Sequence, residues 1–296
     1  MTARKSSKSN KIKTSRRIKM SLTINTNIAA TRASKHLANN HQSLQKSLDR
    51  LSSGKRITDP ADDAGGLAVS MKLEHSINGL KGVASGIANG ISILQVMDGV
   101  LASAGEIVSR IGELKSMYSD VSKNTTDQAT YQSEVESLYD QITSLATNSK
   151  FNGITLFDGG AAGGGADKTV NLDIDGTTTL VITSTDFTGL TNIAAGIAAK
   201  TDFSDVAHDP DKISLALGEV ATLRATLGGE INRLQYALAD VNTQVTNITA
   251  ANGRIMDVDI AAESANLAKQ QILVQASAAM VAQANSANNV ALTLLQ

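Results

Sequence analysis

The sequence predicts a mainly α protein: an elongated antiparallel helical bundle or coiled coil formed by the N- and C-terminal segments, with a small β-hairpin insert between them. Three observations carry that prediction. Apolar residues recur at spacings of three and four through both flanks. A stretch near the middle alternates apolar and polar residues, the mark of strands. The 296 residues include no Trp, no Cys, four Phe and four Tyr, and every aromatic lies between Tyr118 and Tyr236. A compact domain of this length would bury a mixed core and would ordinarily recruit aromatics to it. Flanks that must pack with Ala, Leu, Ile and Val favour slender helix-on-helix contacts instead.

The first 19 residues carry Arg4, Lys5, Lys8, Lys11, Lys13, Arg16, Arg17 and Lys19 and no acid, so the remaining chain is acidic although the net charge is only −1. A basic tail suits nucleic acid or an acidic membrane, but no aromatic or heptad pattern accompanies it, and no nucleic-acid partner is expected. Residues 1–19 read as a basic disordered extension or as an upstream start. The second reading is preferred, with initiation at Met20, because organised sequence begins directly after it.

From Leu22 to Leu51 the apolar residues fall on one helical face. Leu37, Leu44 and Leu51 stand seven apart and Leu48 lies four beyond Leu44, which is a coiled-coil seam. Seven before Leu48 is His41, preceded by Ser34, so the seam is weak; His41 reads as a polar residue at its edge rather than a ligand. Such a helix is marginal in water until a partner covers its stripe. Ser52-Ser53-Gly54-Lys55-Arg56 reads as a break. Asp59-Pro60-Ala61-Asp62-Asp63 then reads as a helix start, with an Asp cap, proline at the first helical position and carboxylates near the positive end of the dipole.

The next helix shows Ile87, Ile91, Leu94, Met97, Leu101, Ala104, Val108, Ile111, Leu114 and Tyr118 spaced by threes and fours. Lys123-Asn124-Thr125-Thr126-Asp127 supplies a turn, and a second helix carries Tyr131, Val135, Leu138, Ile142 and Leu145. Two helices joined so briefly run antiparallel. Beyond Phe151-Asn152-Gly153 comes a glycine-rich run to Gly165. Val170, Leu172 and Ile174 then alternate with polar residues, Asp175-Gly176 signals a hairpin, and Leu180 and Ile182 continue the alternation. The small β insert occupies about 151–187; its threonines between 177 and 185 fit β propensity, and their hydroxyls are also open to O-glycosylation.

Asp209-Pro210-Asp211 repeats the cap-plus-proline start. It opens the rod seam of Val220, Leu223, Leu227, Ile231, Leu234, Leu238, Val241, Val245 and Ile248, where consecutive spacings of four at Leu223, Leu227 and Ile231 insert a stutter that locally alters supercoiling. After Asn252-Gly253 the stripe resumes with Ile260, Leu267, Val274 and Val281, seven apart and flanked by alanines that let helices approach closely.

Several function classes find no support. Without cysteine there is no disulfide, thiolate metal site or Cys nucleophile. Asp62-Asp63 lacks a His or a third acid at ligand spacing, the glycine-rich run has no P-loop Lys-Ser or Lys-Thr, and His36, His41, His75 and His208 include no i, i+4 pair for a His-Glu-x-x-His site. Catalytic residues, metal and cofactors are therefore expected to be none, and the chain is not expected to be an enzyme. No run of 18 apolar residues is present, so no membrane insertion is expected. The N-terminus shows no apolar h-region, so departure from the cell would need another export route.

Together these segments resemble bacterial flagellin over nearly everything from Met20 to Gln296. The resemblance is carried by Ile24-Asn25-Thr26-Asn27; by Arg50-Leu51-Ser52-Ser53-Gly54-Lys55-Arg56-Ile57 and Asp62-Asp63-Ala64-Gly65-Gly66-Leu67-Ala68; and by the Phe151-Asn152-Gly153 turn. The C-terminal half contributes Arg254-Ile255-Met256-Asp257-Val258-Asp259, Gln270-Gln271-Ile272-Leu273-Val274-Gln275-Ala276, Met280-Val281-Ala282-Gln283-Ala284-Asn285 and Leu292-Thr293-Leu294-Leu295.

The resemblance implies a structural subunit that polymerises into the filament used for swimming, secreted and extracellular, of a short form with a minimal variable domain. It implies an inner terminal coiled coil from 20–56 and 253–296, an outer rod from 57–150 and 210–252, and a variable insert over 151–209. The inner segments would be disordered in the monomer and fold on polymerisation. Implied partners are other subunits of the same kind, the flagellar type III export apparatus, an export chaperone, the filament cap and hook-associated proteins. The alternative is a hook-filament junction protein, which shares the helical ends but does not form long filaments alone. Asp49–Ser70 aligns with an epitope of plant immune receptors. Arg110, Glu113 and Leu114 align with the contact of an animal receptor, although Gly112 stands where a second arginine is usual, which implies weak signalling.

Overall fold

A computed structural model describes residues 26–157, 167–182, 188 and 190–293. The readings of 1–19, of Leu22 and Ile24, of the glycine-rich run 159–165, of 183–185 and of Leu294 and Leu295 fall outside those residues. The chain divides into two units, one of residues 1–63 with 256–296 and one of 64–255.

The first unit is a pair of helices. Helix α1, Ile28–Ser53, is opened by Asn27, whose Oδ1 accepts from Ala30 N at 3.0 Å, and is closed by Gly54 in the left-handed region. Helix α6, Ile260–Thr293, is capped by Asp259, whose Oδ1 accepts from Ala261 N and Ala262 N at 2.9 and 3.1 Å. Going forward along α1, Asn27 meets Ala284, Asn40 meets Ser277, Arg50 meets Glu263 and Lys55 pairs with Asp257, so α1 and α6 run antiparallel in one register.

Asp59-Pro60 is not a helix start. Asp62 N donates to Asp59 O at 2.9 Å in a turn, and the next helix begins only at Ala64. The Asp62 carboxylate is engaged elsewhere: it takes hydrogen bonds from Thr58 and ion pairs from Lys46 and Arg50, which ties 57–63 to α1. That tie is why the unit boundary falls at residue 63 rather than 56.

The second unit is built on α2, Ala64–Tyr118, whose 55 residues span roughly 80 Å at 1.5 Å each. Its expected stripe is real: Ile87, Leu94, Met97, Leu101, Ala104, Val108, Ile111 and Leu114 are buried, with Ile91 and Tyr118 half-buried. By length and composition α2 is apolar enough to cross a membrane, but this stripe is committed to protein contacts. Helix α3, Thr125–Asn148, starts in a capping box in which Asn124 Oδ1 accepts from Thr126 N and Asp127 N while Asp127 reaches back to Asn124 N. It returns along α2, as Arg110–Glu134 and Tyr118–Gln128 contacts require. Val135 and Ile142 are buried, Tyr131, Leu138 and Leu145 half-buried, and Tyr139 joins the core from outside the expected stripe.

Helix α5, Pro210–Met256, runs antiparallel to α2, with Arg224 on Asp98 at 2.7 Å and Asn252 accepting from Ser70 Oγ at 2.7 Å. No break occurs at Asn252-Gly253; the interruption lies at 257–259. A single glycine disfavours a helix by only about 1 kcal/mol, and the Ser70 contact holds the helix there. At the stutter, Leu223 and Leu227 meet Met97, Leu101 and the buried Phe157 around a cavity of about 70 Å³.

Two hairpins and a short helix connect these rods. Strands β1, Lys150–Phe151, and β2, Ile154–Thr155, are joined by Asn152 and Gly153 at φ 50° and 81°, the mirror-image turn that Asn-Gly favours. Strands β3, Lys168–Asn171, and β4, Thr179–Ile182, pair antiparallel and bury Val170, Leu180 and Ile182. Ile174, expected in the alternating strand, lies in the turn instead, because Asp173 accepts from Thr177 N and Thr178 N and ends the ladder early. Helix α4, Thr191–Ala198, has no counterpart in the sequence reading. It is short and lacks a capping side chain; the Glu219 carboxylate accepts from Asn192 N and Nδ2.

Gly90 and Gly99 of α2 separate close packing from helix propensity. A Cβ at Gly90 would meet Val170 Cγ2 at 2.7 Å, whereas one at Gly99 would meet nothing within 4 Å. Gly90→Ala should destabilise the unit by about 1–3 kcal/mol, and Gly99→Ala should stabilise it by about 0.5–1 kcal/mol. Urea unfolding of the two monomeric variants measures both, and equal signs would contradict the packing described.

Candidate assembly interface

The seam between α1 and α6 is a regular heptad on both sides. On α1 the covered positions are Ala30, Ala33, Leu37, Asn40, Leu44, Ser47 and Leu51; on α6 they are Glu263, Leu267, Gln270, Val274, Ser277, Val281 and Ala284. Each leucine or valine layer therefore alternates with a small or polar one. Polar groups in a seam fix register at a cost in stability. Here Asn40 Nδ2 donates to Ser277 Oγ at 3.0 Å and to Leu273 O at 3.3 Å.

Leu37, Leu44, Leu51, Leu267, Val274 and Val281, expected as seam residues, are each half-buried between the two helices. Leu48 and Ile260, expected there too, are 48% and 56% exposed. The seam steps three residues from Leu44 to Ser47, not four to Leu48, so Asn40 rather than His41 is the preceding member. Asn40, Ser47, Gln270 and Ser277 are polar and carry no signal in the apolar spacing. The 4-3 spacing from Leu37 and Leu44 would have found the α1 pair.

An ionic knot closes the end of the pair near Gly54. Asp62 binds Lys46 and, at 3.5 Å, Arg50, while Arg50 reaches Glu263 at 4.0 Å. The hydrogen bond from Lys46, supported by that from Thr58 and the charges of Lys46 and Arg50, holds the Asp62 carboxyl below its ordinary value.

What the pair leaves uncovered points outward. Ile272 is 65% and Met280 62% exposed, with Ile28, Leu48, Ile260 and Leu273 also open. Large apolar residues on an exposed two-helix surface mark an interaction site.

The rod seam is covered within its own unit. Val220, Leu227, Leu234 and Val241 are buried and Leu223, Ile231, Leu238, Val245 and Ile248 half-buried. Of the expected receptor contacts, Arg110 and Glu113 are accessible and ion-paired to each other at 3.0 Å, with Glu134 on Arg110 at 2.9 Å. Leu114 is not accessible: it is wholly buried in the α2 stripe, so it contacts the core and not a surface partner.

If Asn40 and Ser277 set register at the expense of stability, replacing both by Leu should strengthen the pair. Asn40→Leu with Ser277→Leu should raise its stability by roughly 1–3 kcal/mol, since both polar partners leave together and apolar area is buried. Hydrogen exchange at 37–51 and 267–281 in the monomer reports this; unchanged protection would contradict it.

Comparison with known proteins supports a common identity for both helical halves. Residues 24–162 match the bacterial flagellin N-terminal helical region and residues 211–295 the bacterial flagellin C-terminal helical region. The flagellar filament 33 kDa core protein of Treponema phagedenis is 35% identical over 289 residues, covering 92% of this chain and 99% of the relative. A flagellin of Bacillus subtilis (strain 168) is 33% identical over 302 residues, with 92% and 99% covered. In fold, the chain is similar to a flagellar hook-associated protein of Vibrio parahaemolyticus, with a TM-score of 0.57 and 17% identity over 66% of this chain and 100% of the other. With both helical regions matched and relatives about a third identical along nine-tenths of its length, the chain belongs to the bacterial flagellin family, the structural subunits of the flagellar filament.

Proposed function

We propose that the α1–α6 pair is the element through which subunits polymerise, and that the unit of residues 64–255 is the outer rod domain of the subunit. The observation behind this reading is the contrast between the two. The rod unit buries its own apolar stripes, whereas the pair has a half-polar seam and open apolar residues at Ile272 and Met280. Neighbouring copies covering those residues would supply the burial that the seam lacks, coupling order in the ends to assembly.

The same family membership supports the finer cellular reading. Subunits leave the cell through the flagellar type III apparatus, held before export by a chaperone, and join a growing extracellular filament between hook-associated proteins and the cap. The chain's role is structural rather than catalytic. A junction-protein role draws only on the fold likeness to the Vibrio hook-associated protein, at 17% identity, against flagellin relatives at 33–35%.

Purified chain brought to polymerising salt should form long filaments alone, visible by electron microscopy. Ile272→Asp combined with Met280→Asp should abolish them while leaving the urea midpoint of the rod unit unchanged. Filaments of normal length from that variant would contradict the assembly role. Wild-type protein that stays short would favour a junction protein.

A further inference from the structure

His208 is fully buried, and neither ring nitrogen makes a hydrogen bond. Its ring stands edge-on to Tyr139 of α3, with centroids 5.6 Å apart, and to Phe203, 5.0 Å away. Phe203 in turn meets Tyr118 edge-on at 5.2 Å. Lys115 of α2, itself buried, donates to the Phe203 carbonyl at 2.7 Å and lies 5.3 Å from the Phe203 ring. The stretch from Phe203 to His208 is thus held on α2 and α3 by stacked edges and one buried cation.

Neutral imidazole suits this place as an aromatic ring. Imidazolium does not, because it adds a second positive charge near Lys115 and turns both ring nitrogens into N–H donors, for which only the Asp202 main chain stands near as an acceptor. We propose that His208 is an acid-sensitive latch: neutral, it pins residues 199–209 onto α2 and α3, and protonated, it releases them.

The groups facing the ring decide the direction. Lys115 comes from α2 and Tyr139 from α3; burial pushes the Tyr139 phenol up to about 12, so it stays neutral. Helix α4 carries no titratable residue, and α5 opens next to the ring with Asp209, Asp211 and Lys212 along the chain. Asp202 and Asp205 favour the charged ring, the former also through its main chain. Their carboxylates are already occupied, however, by Ser204 N and Oγ and by Ala207 N. Burial first and Lys115 second outweigh them and hold the imidazole below its ordinary 6.5. The latched state therefore loses nothing above pH 6.5. As pH falls below that value the released state takes up the proton first, and release grows until the pH reaches the lowered value of the latched ring.

The test is hydrogen exchange of the full-length monomer at pH 7.5, 6.5 and 5.5, corrected for intrinsic amide rates. Opening of 199–209 should rise by up to about tenfold per pH unit below 6.5, while 87–114 stays protected. His208→Phe keeps the ring without the titration and should remove the pH dependence. Lys115→Met should make its slope shallower. A wild-type chain whose opening ignores pH, or a folded His208→Phe chain that keeps the slope, overturns the latch. Should His208→Phe fail to fold, NMR titration of the wild-type imidazole decides: a midpoint below 6.5 supports the latch and one at or above 6.5 refutes it.

Discussion

Polar and small residues in every second layer between α1 and α6 are the constraint on which the molecule's division of labour rests. Leu37, Leu44, Leu51, Leu267, Val274 and Val281 bring apolar area to the seam, but Asn40, Ser47, Gln270 and Ser277 interrupt it. Ordering backbone costs about 1–2 kcal/mol per residue, and polar layers return little of that through burial. What those layers provide is a register, written in the Asn40–Ser277 contact and the Arg50–Glu263 and Lys55–Asp257 pairings. A pair with defined register and deficient burial is suited to completion by other copies.

The rod unit solves the opposite problem. Its α2 and α5 stripes, together with α3 and the two hairpins, bury Ile87, Leu94, Met97, Ile142, Phe157 and Leu234 almost completely. Tyr118, Tyr131, Tyr139, Phe151, Phe157 and Phe203 sit where the rods meet the connecting segments and thicken a core that slender helices alone would leave thin. Absence of aromatics from the flanks is thus matched by their concentration where elements of different type converge.

Much of this was legible because long helices repeat one signal many times. The α2 and α5 stripes and the 170–182 hairpin follow from periodicity and local turn chemistry, whereas Thr125–Asp127, expected in a turn, already belong to α3 because Asn124 caps it. The other misreadings share a cause: a local rule was overridden by a partner distant in sequence. Asp62 was drawn from helix capping into pairing with Lys46 and Arg50. Gly253 was carried through α5 by the Ser70–Asn252 contact, and Leu48 lost its seam place to Ser47. Leu114 belonged to the same stripe that predicted its burial, which the alignment with a receptor contact set aside. Helix α4 has neither cap nor length, and its position follows from Glu219 and the core around Ile193.

The proposed dependence of the terminal pair on neighbouring copies is tested most directly, residue by residue, by hydrogen exchange of the same chain as monomer and as filament. Amides of 30–51 and 263–286 should exchange rapidly in the monomer and become strongly protected in the filament, while those of 87–114 and 220–248 remain protected in both. Equal protection of the terminal pair in monomer and filament would contradict the account, because the half-polar seam would then be sufficient on its own.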